Sequence, residues 1–247
     1  MKTKTLLVVL VMYGLCASAQ ESPEKRIRFG LKAGVNGSLF TKAVDPFDDF
    51  DRRGLSYFRR FFRASGFGGV TLDAELSPRI SIGAEGLFTS KGMAYREQND
   101  AVIIIDSDGQ EQQAYNYYNF NVDYLELPLT INYNFSQTSN LFLTTYAGFA
   151  PAINIAAKTK LRYEGDVNGD GRKTRSVKDK LDHVNHFNNS LIAGLKVGDS
   201  VADKPAIFLD FRTSYLLNPV FNRSRSDNGN NLDTHMLSFS LGFGVKF

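Results

Sequence analysis

The sequence predicts an all-β chain: an eight-stranded antiparallel up-and-down transmembrane β-barrel with four long extracellular loops. Three observations carry this. Apolar residues recur at every second position, short connections alternate with long ones, and the composition is rich in aromatics yet hydrophilic on average. The 247 residues include 20 Phe, 11 Tyr and 21 Gly, with a mean hydropathy of −0.24. That mean excludes a bundle of transmembrane helices, and the aromatic content excludes a disordered chain. A single Cys forms no disulfide framework. A formal net charge of +3, with the charges interspersed, argues against a nucleic-acid partner.

Residues 1–19 read as a secretory signal peptide. Lys2 and Lys4 precede an apolar run from Leu6 to Cys16, and Ala17-Ser18-Ala19 supplies small residues for cleavage. The run is shorter than the roughly 20 residues a membrane-spanning helix needs. Leu15 is too bulky for a lipoprotein signal at Cys16, so cleavage is expected after Ala19. Residues 20–247 then form one outer-membrane β-barrel domain without cysteine.

The strands follow in order. Ile27, Phe29, Leu31, Ala33 and Val35 alternate with polar residues or glycine, as do Val70–Leu76 and Ile80–Ala84. Leu125, Leu127, Leu129, Ile131 and Tyr133 repeat the pattern, then Ile207–Tyr215 and Leu237–Phe247. Weaker alternation over Leu141–Ile155 and Phe187–Val197 brings the expected strands to eight. Phe67, Leu87, Phe142 and Ile192 break parity, which predicts either bulges or apolar side chains turned into the lumen. The chain ends on Phe247 with apolar residues at every second position behind it, like the carboxy-terminal insertion signal of bacterial outer-membrane barrels.

Alternation alone also describes a soluble, lipocalin-like barrel carrying an apolar ligand. The connections discriminate. Those at 77–79, 134–140 and 198–205 are short, whereas 41–64, 92–118, 158–186 and 218–234 are long. All the long ones fall on one end, the asymmetry of a transmembrane barrel with short periplasmic turns. The polar partners of the alternating residues (Lys32, Glu75, Glu126, Arg212) then face the lumen.

The segments FGLKAGVNGS (29–38), GAEGLFTSKGM (83–93), YLELPLTINY (124–133), TYAGFAPAINI (145–155) and FRTSYLLNPV (211–220) together resemble the PorT-like outer-membrane β-barrel proteins of the Bacteroidetes. YLELPLTINY is the most specific of them. The resemblance spans nearly all of the chain after the signal and implies a barrel in the bacterial outer membrane. Its motifs are structural, so it implies no catalytic residues and no particular partner.

Four groups of residues are candidates for function. Arg28, Lys32, Asp73, Glu75, Glu85, Lys91, Glu126, Asp210, Arg212 and Lys246 are expected in the lumen as an ion-pair network. An eight-stranded barrel has room only for side chains, and buried charges require partners. The network therefore reads as a plug, with a small-solute transport or sensing barrel as the rival. Asp166, Asn168 and Asp170, followed by Gly171 and with Thr174 at position 9, match the first half of a calcium loop. Val177 stands where a bidentate Glu is expected, and an ordinary Asn/Asp/Gly turn explains the same residues. Calcium is the one cofactor the sequence raises. Phe58 and Phe62 are placed with Leu55 on one face of an expected loop helix, with Arg59, Arg60 and Arg63 mostly elsewhere. Aromatic and Arg side chains together suit an anionic lipid surface or a protein partner. Outer-membrane lipid, lipopolysaccharide and envelope or secretion proteins are the expected partners. No enzyme is expected: His183, His186 and His235 form no triad or metal motif.

Overall fold

The computed structural model describes residues 27–44, 59–77, 79–105, 108–138, 141–165, 173–199, 205–225, 229 and 231–247. The expected signal peptide, Phe58 and the Asp166–Asp170 run lie outside them. Eleven strands are present: β1 Ile27–Phe40, β2 Arg59–Phe61, β3 Arg63–Glu75, β4 Ile80–Ile105, β5 Glu111–Glu126, β6 Leu129–Thr138, β7 Leu141–Gly165, β8 Lys173–Lys180, β9 Phe187–Asp199, β10 Ala206–Leu216 and β11 Met236–Lys246.

These strands close into a ring of eight. β1 pairs with β3, β3 with β4, and β4 with both β5 and β6. β5 and β6 are one barrel strand interrupted at Pro128, which has no N–H to give to the ladder. The chain continues across the gap, with Glu85 N–H donating to Pro128 O and Leu127 N–H to Pro151 O. The ring then runs through β7, β9, β10 and β11 and returns to β1. Every pairing is antiparallel, and closure leaves no edge for lipid to meet.

Alternation sorts the side chains inside out. β10 is the cleanest case: Ala206, Phe208, Asp210, Arg212, Ser214 and Leu216 are buried, while the residues between them are exposed. Leu31 is 58 % and Ile131 67 % exposed, whereas Lys32 is 3 % and Asp210 1 %. A soluble carrier would show the reverse. Along the β5–β6 strand the exposed apolar run covers Leu125, Leu127, Leu129, Ile131, Tyr133 and Phe135. Ten residue steps at about 3.3 Å, tilted by about 45°, give roughly 23 Å of height, close to the apolar band of an outer-membrane barrel.

Two expectations need correction. The segments 92–118 and 158–186 are not irregular loops: β4 and β5 run on together as a hairpin, and β7 continues against β8. The connection carrying Arg59–Arg63 is no helix there, since β2 adds to β4 at Ala94–Arg96 and β3 begins at Arg63. Extended β4 offers unpaired backbone groups at that edge, and satisfying them outweighs the local helical spacing. Of the four residues that break parity, Phe67, Leu87 and Ile192 are buried in the lumen. The ladders carry no register shift at any of the four.

Candidate functional site

The lumen is filled in two layers. Near the short turns lies an ionic layer. Lys32 Nζ donates to Glu85 Oε2 at 2.8 Å and to Asp210 Oδ2 at 2.6 Å. Arg212 Nη2 donates to both Glu85 oxygens at 2.8 Å. Tyr146 closes the circuit, accepting from Arg212 Nε at 2.9 Å and donating to Asp210 Oδ1 at 2.6 Å. Lys196 stands 3.7 Å from Glu85 and 3.8 Å from Asp73, and Lys246 is 2.8 Å from Asp73. These side chains come from β1, β3, β4, β7, β9, β10 and β11, so the layer ties almost the whole ring together. Below it a cavity of about 70 Å³ is lined by Arg28, Asp73, Glu75, Asn132, Lys196 and Lys246. Arg28 and Glu75 pair at 3.2 Å at its rim, each half-exposed.

Mid-barrel, Lys91 Nζ donates to Glu126 Oε1 at 2.5 Å and to Ser214 Oγ at 3.3 Å. Thr89 also donates to Glu126, at 3.2 Å. Above this, toward the long connections, the interior is apolar. Phe40 stacks on Phe120 with ring centroids 6.0 Å apart, and Tyr95 meets Phe120 edge-on at 5.5 Å. Met93, Val220, Phe221, Leu232 and Met236 complete this cluster. Aromatic rings also fill the lower barrel where glycine leaves room. A β-carbon at Gly244 would run into the Phe208 ring, and one at Gly194 into Tyr146. The abundance of Phe, Tyr and Gly is partly this interior fit.

Sequence reasoning missed Lys196 and Tyr146. With Leu191, Ala193 and Leu195 facing out, Lys196 must face in, but Ile192 on the inner parity obscured the pattern in β9. The first-loop residues separate. Arg63 turns into the joint between β3 and β4, donating to Asn121 Oδ1, to Lys91 O at 3.1 Å and to Ser90 Oγ at 3.1 Å. It ties these groups together at the start of β3. Arg60 donates to Thr41 O at 3.1 Å, and Arg59 lies across from Arg96. Phe62 is 56 % exposed and packs edge-on against Phe239 at 6.1 Å. Thr174 falls in β8, in register with Glu164.

The histidines have structural surroundings. His235 Nδ1 is 3.0 Å from Leu216 O and its ring stacks on Tyr215, while His186 meets Phe187 edge-on. Among the described residues no three His, Cys, Asp or Glu side chains converge as a metal site.

Several solved structures align with this chain. Ail, the attachment invasion locus protein of Yersinia pestis, aligns at 11 % identity and a TM-score of 0.35, covering 89 % of this chain and 98 % of that one. Neisserial surface protein A aligns at 11 % identity and 0.37, covering 89 % and 97 %. The outer membrane protease OmpT of Escherichia coli aligns at 13 % identity and 0.34, covering 92 % and 99 %. No curated protein matches the sequence. The family model described as "Outer membrane protein beta-barrel domain" matches residues 18–222. With a closed ring, an apolar exterior and a match over most of its length, the chain belongs to the outer membrane protein β-barrel domain family.

Proposed function

We propose that this protein is a sealed barrel of the bacterial outer membrane that acts through its long-connection end, in surface binding, envelope structure or support of secretion. The observation that carries the proposal is the double filling of the lumen. A conducting pore needs a continuous wet path, and here the Lys32–Glu85–Asp210–Arg212 layer is followed by the buried Phe40–Tyr95–Phe120 cluster. What remains available to a partner is the outer end, where β4, β5, β7 and β8 run on past the apolar belt as a protruding sheet. Within the family, the five sequence segments support a place among the PorT-like barrels of the Bacteroidetes, with export directed by residues 1–19.

One observation favours transport or sensing of a small solute instead: the 70 Å³ cavity at the short-turn end. It ends against the ionic layer, so solute would have to displace buried ion pairs to pass. A hairpin replacement separates the two readings. Residues 99–114 are exchanged for Asn-Gly, a two-residue hairpin turn, between Gln98 and Tyr115, which are already in register. The sealed-barrel reading expects a folded, heat-modifiable protein with lost surface binding or secretion support and unchanged solute uptake. Altered uptake with intact surface functions would contradict it.

A further inference from the structure

The protruding sheet turns a row of cations outward above the lipid-facing belt, and one β-bulge turns out those on β7. Leu125 pairs with Ile153, both outward, and Tyr124 pairs with Asn154, but Asp123 pairs with Ala156. Ile155 is therefore an extra residue, and the parity of β7 reverses there. Asn154 Nδ2 holds the bulge, donating to Asp123 O and Ala156 O at 3.1 Å each. Past it Ala157 packs toward the apolar interior and Thr159 is buried. Lys158, Lys160 and Arg162 point outward instead.

Paired residues in an antiparallel ladder share a face. Lys158 lies opposite Lys180 on β8, and Lys160 opposite Lys178. Arg162 lies opposite Tyr117, which lies opposite Arg96, and both guanidiniums are seated on tyrosines, Arg162 over Tyr117 at 4.3 Å and Arg96 over Tyr115 at 4.4 Å. Like charges directly opposite one another destabilise a ladder. Lys180 has Asp182 at 3.1 Å; among the described residues Lys158, Lys160 and Lys178 have no such carboxylate. A folded sheet tolerates two such lysine pairs most readily where an external anion bridges them.

Height identifies the anion. The row of Phe88, Leu125 and Ile153 is exposed and apolar. Next comes the row of Ser90, Asp123 and Ala156, where Ser90 Oγ donates to Asp123. The row of Lys158 and Lys180 lies one position beyond that, two above the apolar row and level with Asn121. Four residues at about 3.3 Å, tilted by about 45°, raise it by roughly 9 Å. Lysine stems reach back down toward an interface, which brings their ammonium groups into the headgroup layer. We propose that the outward face carrying Lys158, Lys160, Arg162, Lys178, Lys180 and Arg96 binds the phosphate groups of anionic lipid in the outer leaflet. The proposal rests on the long-connection end facing outward, as inferred above.

The test uses the full chain folded in phosphatidylcholine nanodiscs, titrated with diphosphoryl lipid A, with its dephosphorylated form and with a soluble sulfated saccharide. Diphosphoryl lipid A is expected to bind at least tenfold more tightly than the other two, with affinity falling as salt rises. The combined variant Lys158→Gln, Lys160→Gln, Lys178→Gln, Lys180→Gln is expected to lose that tenfold preference while keeping its heat-modifiable fold; Lys42→Gln, elsewhere on the surface, is expected to keep it. Equal binding of the phosphorylated and dephosphorylated lipids, an unaffected quadruple variant, or tighter binding of the soluble saccharide overturns the proposal. Orientation is read separately. Ile105→Cys, with Cys16 removed in the signal, is expected to label with an impermeant maleimide on intact cells. No labelling refutes the outward orientation itself, whatever the nanodiscs show.

Discussion

Inside the barrel, Lys32, Lys196, Lys246 and Arg212 each have a carboxylate within 3.8 Å. On the protruding sheet, Lys158 faces Lys180 and Lys160 faces Lys178. The two sets differ because their surroundings differ. Lys196 is 2 % exposed, and a buried charge left alone costs more than the fold can bear. A cation at the water and headgroup boundary keeps its hydration, so its partner can be a ligand. The interior charges are structural by this standard, and the exterior ones are free to recognise something outside the molecule.

Removing an interior partner should have the largest effect. Glu85→Ala removes the carboxylate shared by Lys32, Lys196 and Arg212, leaving Asp210 as the one carboxylate between Lys32 and Arg212, and a loss on the order of 3–5 kcal/mol is expected. Urea titration of the micelle-folded protein, followed by circular dichroism because the chain has no Trp, measures it. Next in size is steric fit. Gly244→Val drives a side chain into Phe208, and overpacking of this kind costs about 1–3 kcal/mol. The double variant with Phe208→Ala should recover part of that loss in the same titration, as neighbours coupled by volume do. Absence of any recovery would mean that the ring does not fill the glycine's space.

The exterior should behave oppositely. Lys158→Gln with Lys160→Gln is expected to leave unfolding within about 0.5 kcal/mol of wild type, as surface changes usually do. A loss of several kcal/mol would place these lysines among the structural charges. The smallest expected effect is calcium. Lys173–Lys180 is already laddered to β7, so the second half of a wrapped ion loop is committed to strand. Isothermal titration at millimolar calcium should show no binding heat, and a saturable signal would restore the ion site.

Much of this was legible in the sequence because lipid enforces alternation. Leu125 to Phe135 faces hydrocarbon at every second position, so period two survives there and gives strand, face and membrane together. Above the belt the constraint disappears. β4 beyond Gly92 and β5 before Asn121 lie past the exposed apolar belt, so polar residues occupy both parities and the hairpin reads as loop. The bulge at Ile155 was invisible for a related reason: alternation fades just where parity reverses, and only the register exposes Lys158, Lys160 and Arg162. The short strand Arg59–Phe61 was missed because Phe58 and Phe62 fit a helical stripe, whereas the β4 edge took Arg59–Phe61 as strand. Interior residues such as Glu85, Asp210 and Arg212 were identifiable from parity alone, since each sits on the parity opposite to outward residues such as Ile82, Leu209 and Phe211. Their partners were not, because contacts such as Lys32 with Asp210 link strands far apart in sequence.

In the proposed function, an ionic layer and an apolar cluster in series seal the lumen. Planar-bilayer recording of the purified, folded protein tests it most directly. A sealed lumen predicts a quiet bilayer, with no reproducible unitary steps from the wild-type barrel at moderate voltage. Steady, reproducible channel openings from that protein would contradict it.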